Sequence, residues 1–130
     1  MKLRINNNSI RLRLTQSEVE RIGKGYSLHQ ALKLGEDQVL TYALIPRDKL
    51  DSPKATFLNQ HLEVYLPSAL GKSWAGTDEV SIRHVQQEGT DRECLLLIEK
   101  DFQCLHKRPG EDERDNFPNP KSLEDYQNGS

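Results

Sequence analysis

From Lys2 to Glu99 the apolar side chains fall mostly at every second position, and that period of two is the strongest constraint on how this chain can fold. Leu3 and Ile5 alternate with Lys2 and Arg4, and Ile10, Leu12 and Leu14 alternate with Arg11 and Arg13, a half-buried strand pair around Asn6-Asn7-Asn8. The period breaks at Thr15-Gln16-Ser17-Glu18, a capping box. Val19 and Ile22 then share one helical face and Gly23 and Gly25 provide the exit, so a helix of about two turns is predicted. Strands over 28–34 and 39–45 follow, joined by Gly35-Glu36-Asp37, with Pro46 and Pro53 punctuating a crossover.

The second half repeats the order. Strands over 55–58 and 61–66 flank Asn59-Gln60. Pro67 opens a helix with Leu70 and Trp74 on one face and Gly76 at its end, and strands over 79–85 and 92–99 close the unit. Leu12-Arg13-Leu14-Thr15 and Val64-Tyr65-Leu66-Pro67 hold equivalent places 52 positions apart, so the order reads as an internal duplication of strand, strand, helix, strand, strand. A four-stranded unit with a two-turn helix cannot cover its own apolar face. Two units packed face to face can, and a closed or nearly closed barrel would also remove the strand edges. The expected fold is mainly β: a pseudo-duplicated, barrel-like domain over 1–102 with two short helices, followed by an extended, polar C-terminal arm over 103–130.

With 130 residues, 35% of them hydrophobic, the chain holds enough apolar material for one core. The longest apolar run, 94–98, is far short of the roughly 18 residues that span a bilayer, which excludes a membrane helix. The first residues lack the apolar stretch of a secretory signal, and two cysteines make no disulfide framework; the cytoplasm is the expected location.

Residues 62–70, Trp74 and Asp78 to Ile82 resemble the strand-helix-strand signature of AbrB-type transcription regulators and the related cradle-loop barrels. That resemblance implies that Pro67 opens the helix, that Leu70 and Trp74 pack it across a barrel and that Asp78 feeds the next strand. AbrB-type domains form their barrel from two swapped chains and bind DNA, whereas here both halves lie in one chain. The whole chain also resembles a family of small uncharacterised bacterial proteins that combine the strand over 9–15 with an acidic and Phe-Pro-Asn-Pro segment over 111–120, which implies a bacterial origin and no particular activity.

Three clusters carry candidate chemistry. Cys104 and His106, followed by Glu111, Asp112, Glu113 and Asp115, are donor types that suit zinc, although their spacing matches no standard site and a solvated acidic loop is the plain alternative. Phe117, set in a Pro-stiffened stretch, is the expected anchor of the arm. Lys2, Arg4, Arg11 and Arg13 all point off the apolar face, and residues 1–34 hold seven Lys or Arg against two Glu. Three readings fit this basic stripe: a clasp by the protein's own acidic 111–115 segment, an ordinary solvated face, or contact with nucleic acid phosphates or an acidic peptide. His84 shares parity with Ile82 on the inner face, while His29 and His61 read as exposed strand residues. No Gly-x-Ser-x-Gly elbow is present, and Gly23-Lys24-Gly25 lacks the strand-loop-helix order of a phosphate loop. The chain reads as a binding or regulatory module of unidentified ligand rather than an enzyme, with nucleic-acid association or metal binding as its alternatives.

Overall fold

The structure, a computed structural model, describes residues 1–103 and 112–119. Eight strands and two helices follow in the order β1 (Lys2–Asn6), β2 (Ser9–Leu14), α1 (Gln16–Gly23), β3 (Leu28–Gly35), β4 (Gln38–Arg47), β5 (Lys54–Leu58), β6 (His61–Pro67), α2 (Ser68–Ala75), β7 (Ser81–Gln86) and β8 (Cys94–Lys100). The fold is mainly β and duplicated. The pairing differs from two self-contained halves, however, because each sheet takes one hairpin from either half: sheet A runs β1-β2-β8-β7 and sheet B runs β3-β4-β6-β5. Within each sheet the hairpins meet through a parallel pair, β2 with β8 and β4 with β6.

The duplication extends to register. Across sheet A, Leu3, Leu12, Ile98 and Ile82 stand side by side; across sheet B the matching row is Ala55, Val64, Leu44 and Leu28. Both rows face one core, completed by Leu14, Leu66, Val19, Ile22 and Trp74. Trp74 is fully buried and donates its indole N–H to the Val80 carbonyl at 3.1 Å, so the one polar atom of the ring is satisfied. The helices meet where Gly23 lies against Ala75, its counterpart 52 positions on; a Cβ at Gly23 would stand 2.7 Å from the Ala75 Cβ, so this approach needs glycine.

The sheets do not close into a barrel: β1, β7, β3 and β5 remain edge strands. The two seams differ. Between β5 and β7 the Gln86 side chain accepts from the Ala55 amide at 2.6 Å and donates to the Ala55 carbonyl at 3.0 Å, replacing a strand-to-strand bond. No such side-chain amide bridges β1 and β3.

Pro46, expected in a crossover, lies inside β4 opposite Leu66. Pairing with β3 extends only as far as Leu44, so on that side of Pro46 the missing N–H leaves no ladder bond unmade. The last two strands begin at Ser81 and Cys94, two residues later than the alternation suggests, because Glu79, Val80 and 92–93 belong to the connections that precede them. No helix among the described residues is long and apolar enough to cross a membrane.

Candidate functional site

The outer face of sheet A follows from strand parity. With Leu12, Leu14, Ile82, Leu96 and Ile98 buried, their neighbours turn outward. The β1–β2 register sets Lys2 directly opposite Arg13 and Arg4 directly opposite Arg11. On the next strand Glu99 stands beside Arg13 and Leu97 beside Arg11, and β7 adds Arg83 beside Leu97. Like charges placed directly opposite each other across strands oppose folding, so packing alone does not select this pattern.

The face is neutralised only in part. Glu99 Oε1 lies 3.0 Å from Arg11 Nε and 3.8 Å from Arg13 Nε, while Lys2 Nζ reaches Asp101 Oδ2 at 3.0 Å. That Asp101 oxygen is buried without a hydrogen-bond partner among the described residues and faces Lys2 as an ion pair. Arg4 and Arg83 are exposed and form no ion pair with any described residue. A shallow depression of about 140 Å³ lies between Arg4 and Arg11, with Asn6 and Ser9 at one end and Leu95 and Leu97 lining its floor. Two guanidinium groups and the Asn6 side-chain amide around one hollow suit an oxyanion, while the Ser9 hydroxyl is already spent on the Asn6 carbonyl at 2.6 Å.

Among the described residues the arm does not clasp this stripe. Residues 112–119 run instead to the start of α1. The Gln16 amide donates to the Asp115 carbonyl at 2.7 Å, the Ser17 amide to Asp115 Oδ1 at 3.3 Å, and the Ser17 hydroxyl to Asp115 Oδ2. The hydrogen bonds from Ser17 and then Thr15 hold the Asp115 carboxyl below the usual carboxylate range. A helix start carries unpaired amides and partial positive charge, which explains why this carboxylate settles there rather than on solvated arginines. Thr15 and Glu18 form the expected capping box, with the Thr15 amide donating to Glu18 Oε1 at 2.9 Å. Phe117 is the anchor that the sequence suggests. It packs on the core, its ring centroid 5.9 Å from that of Phe102, and Lys100 Nζ lies 5.5 Å from its ring and 5.8 Å from that of Trp74.

A family model matches residues 1–121, a span that takes in both sheets, the basic face and the docked arm. The chain belongs to DUF7009, a family of unknown function. No curated protein and no solved structure matches it.

In this DUF7009 chain Cys104, His106 and Glu111 of the metal set lie outside the described residues. Of the others, Asp112 forms a two-oxygen pair with the Arg114 guanidinium, Glu113 is buried with its carbonyl accepting from Gln103, and Asp115 serves α1. Among the described residues no three His, Cys, Asp or Glu side chains come together as a metal site. His84 is half-buried on the inner side of β7, whereas His29 and His61 are exposed on the outer face of sheet B. Burial raises the Cys94 thiol pKa, which makes it a poor nucleophile.

Arg83 and Glu99 are the residues of this face that sequence reasoning missed. Arg83 alternates with Ile82 and His84, so its outward direction was readable; that β7 joins the sheet of β1 was not.

Proposed function

We propose that this chain is a binding module whose sheet A outer face contacts the phosphate backbone of duplex DNA. The observation that carries this reading is the pair of like-charge cross-strand contacts, Lys2 with Arg13 and Arg4 with Arg11, extended across the sheet by Arg83. Phosphates would relieve that repulsion, and release of their counterions would supply affinity. Among the described residues no aromatic ring lies on the face, which favours backbone contact over base stacking. The resemblance of residues 62–82 to AbrB-type regulators supports the same direction, as does the exchange of hairpins between halves. Backbone contacts position a protein without specifying sequence, so the proposed module is a non-specific or weakly selective one.

Anisotropy of a fluorescent duplex titrated with the protein at about 50 mM salt tests this reading. Engagement of three or four phosphates predicts a slope of log affinity against log salt of about −3 to −4. The double variant R11E/R83E should lose at least about tenfold in affinity, in keeping with about 1.4 kcal/mol or more of lost phosphate contact. Failure of the wild-type chain to bind at low salt overturns the proposal.

A further inference from the structure

The two seams between the sheets are counterparts under the internal duplication, yet one is stitched and the other open. The register matches Gln86, which bridges to Ala55, with Leu32, and matches Ala55 with Leu3. At the open seam a hydrocarbon side chain stands where the amide stands in the other, and it can bond to neither group of the Leu3 backbone. The bond nearest this seam, from the Tyr42 hydroxyl to the Met1 carbonyl at 3.3 Å, comes from β4 and leaves the β3 edge unpaired.

That edge is long. β3 has eight residues against six in β7, and every one after Leu28 is exposed. Leu32 and Leu34 point to the inner side, 47% and 70% exposed, and Ile5 on β1 is 62% exposed. On the outer side the flanking residues are His29 and Lys33 of β3 and Lys2 and Arg4 of β1, with no carboxylate among them. An edge strand of this length is a template for a further strand unless charges, a bulge, a proline or a cover blunt it, and the one charged residue of β3 is Lys33. β3 has an irregularity between Lys33 and Gly35, at its end only.

We propose that the β3 edge at the open seam binds an extended peptide of alternating apolar and acidic residues, which adds as a strand. Backbone bonds to β3 supply the affinity. Strand parity sends the apolar side chains inward onto Leu32 and Leu34 and the acidic ones outward to Lys33 and Arg4. The occupant is acidic because Lys33 and Arg4 form no ion pair with any described residue, whereas Lys2 is already paired with Asp101. Self-pairing of two β3 edges centred on Ala31 would instead place each Lys33 beside the other copy's His29.

The test is a titration of the full chain with a fluorescein-labelled peptide of alternating valine and glutamate, about eight residues long to match a strand. It should be read by anisotropy and by hydrogen exchange of the 30–35 amides. Wild type should bind, with those amides gaining protection. L32Q copies the Gln86 stitch onto the open seam and should weaken binding at least about tenfold while keeping the melting temperature. K33E should weaken it by a smaller factor that vanishes at high salt. Neither variant should change duplex DNA affinity by more than about twofold, whereas R11E/R83E should do the reverse, so failure of one proposal is separable from failure of the other. Equal binding by L32Q, protection mapping to sheet A, or a concentration-dependent dimer protected at β3 would each overturn the inference.

Discussion

Sheets A and B share one backbone plan and carry opposite surfaces. Arg11 of sheet A corresponds to Glu63 of sheet B, Arg13 to Tyr65, Arg4 to Thr56 and Arg83 to His29. On sheet B several outward groups are settled locally: the Tyr65 hydroxyl donates to Glu63, the Arg47 guanidinium lies 3.9 Å from the Tyr65 ring, and Thr41 is hydrogen-bonded to His61. Tyr65 is held above the ordinary phenol range, first by its bond to Glu63. On sheet A Arg4 and Arg83 have no such partner. The most buried inward positions have therefore kept their apolar character, as Leu12 and Val64 or Ile98 and Leu44 illustrate, while outward positions and inward ones at the seams, such as Gln86 and Leu32, have diverged. Packing constrains the first set and leaves the second open to selection by a ligand.

The comparison assumes one shared core, and the largest expected effect tests that assumption. L12A should cost about 2 to 5 kcal/mol and its counterpart V64A somewhat less, having fewer methyl groups to lose. In either variant, urea unfolding followed by far-ultraviolet circular dichroism and by Trp74 fluorescence should give coincident curves. Separate transitions would mean that the halves are independent and the symmetry only formal. A middle-sized effect sharpens the electrostatic contrast. E99Q removes the one carboxylate beside Arg11 and Arg13, so duplex affinity should rise about two- to threefold, while stability falls by at most about 1 kcal/mol for pairs this open to solvent. Unchanged affinity would mark the face as ordinary solvated surface.

The smallest effect concerns the arm, which has no counterpart in the first half. The Asp115 carboxyl titrates lower in the folded chain than in the unfolded one. Its stabilisation is therefore present above the ordinary carboxylate value near about 3.9 and lost as the pH falls through the lower folded value. Exchange of the Gln16 and Ser17 amides should quicken over that acid range in wild type. In D115N it should be faster at neutral pH and lack that acid step. An identical profile in both would remove Asp115 as the tether.

Much of this was legible in the sequence because it is local. Alternation gave the hairpins, Thr15 and Glu18 the first helix, and the 52-residue spacing the duplication. The partner of each hairpin was not legible, since β2 joins β8 through residues as far apart as Leu12 and Ile98, and period two is silent about which sheet a strand enters. The same gap hid Arg83 from the basic stripe. The docking of residues 112–119 on α1 was not legible for a different reason. Net charge pointed Asp115 toward arginines, whereas unpaired amides at Gln16 and Ser17 offered directional bonds that charge counting does not register.

The interlacing of hairpins also bears on how the chain is made. As it leaves the ribosome, the first half presents β2 and β4 each with only one of its two flanking strands, and Leu12, Leu28 and Leu44 wait in water until β6 and β8 arrive. Translation must run through nearly the whole sheet-forming region before either layer is complete, so a nascent chain stalled near Pro53 is a sticky one, with a need for chaperones that the finished molecule does not share.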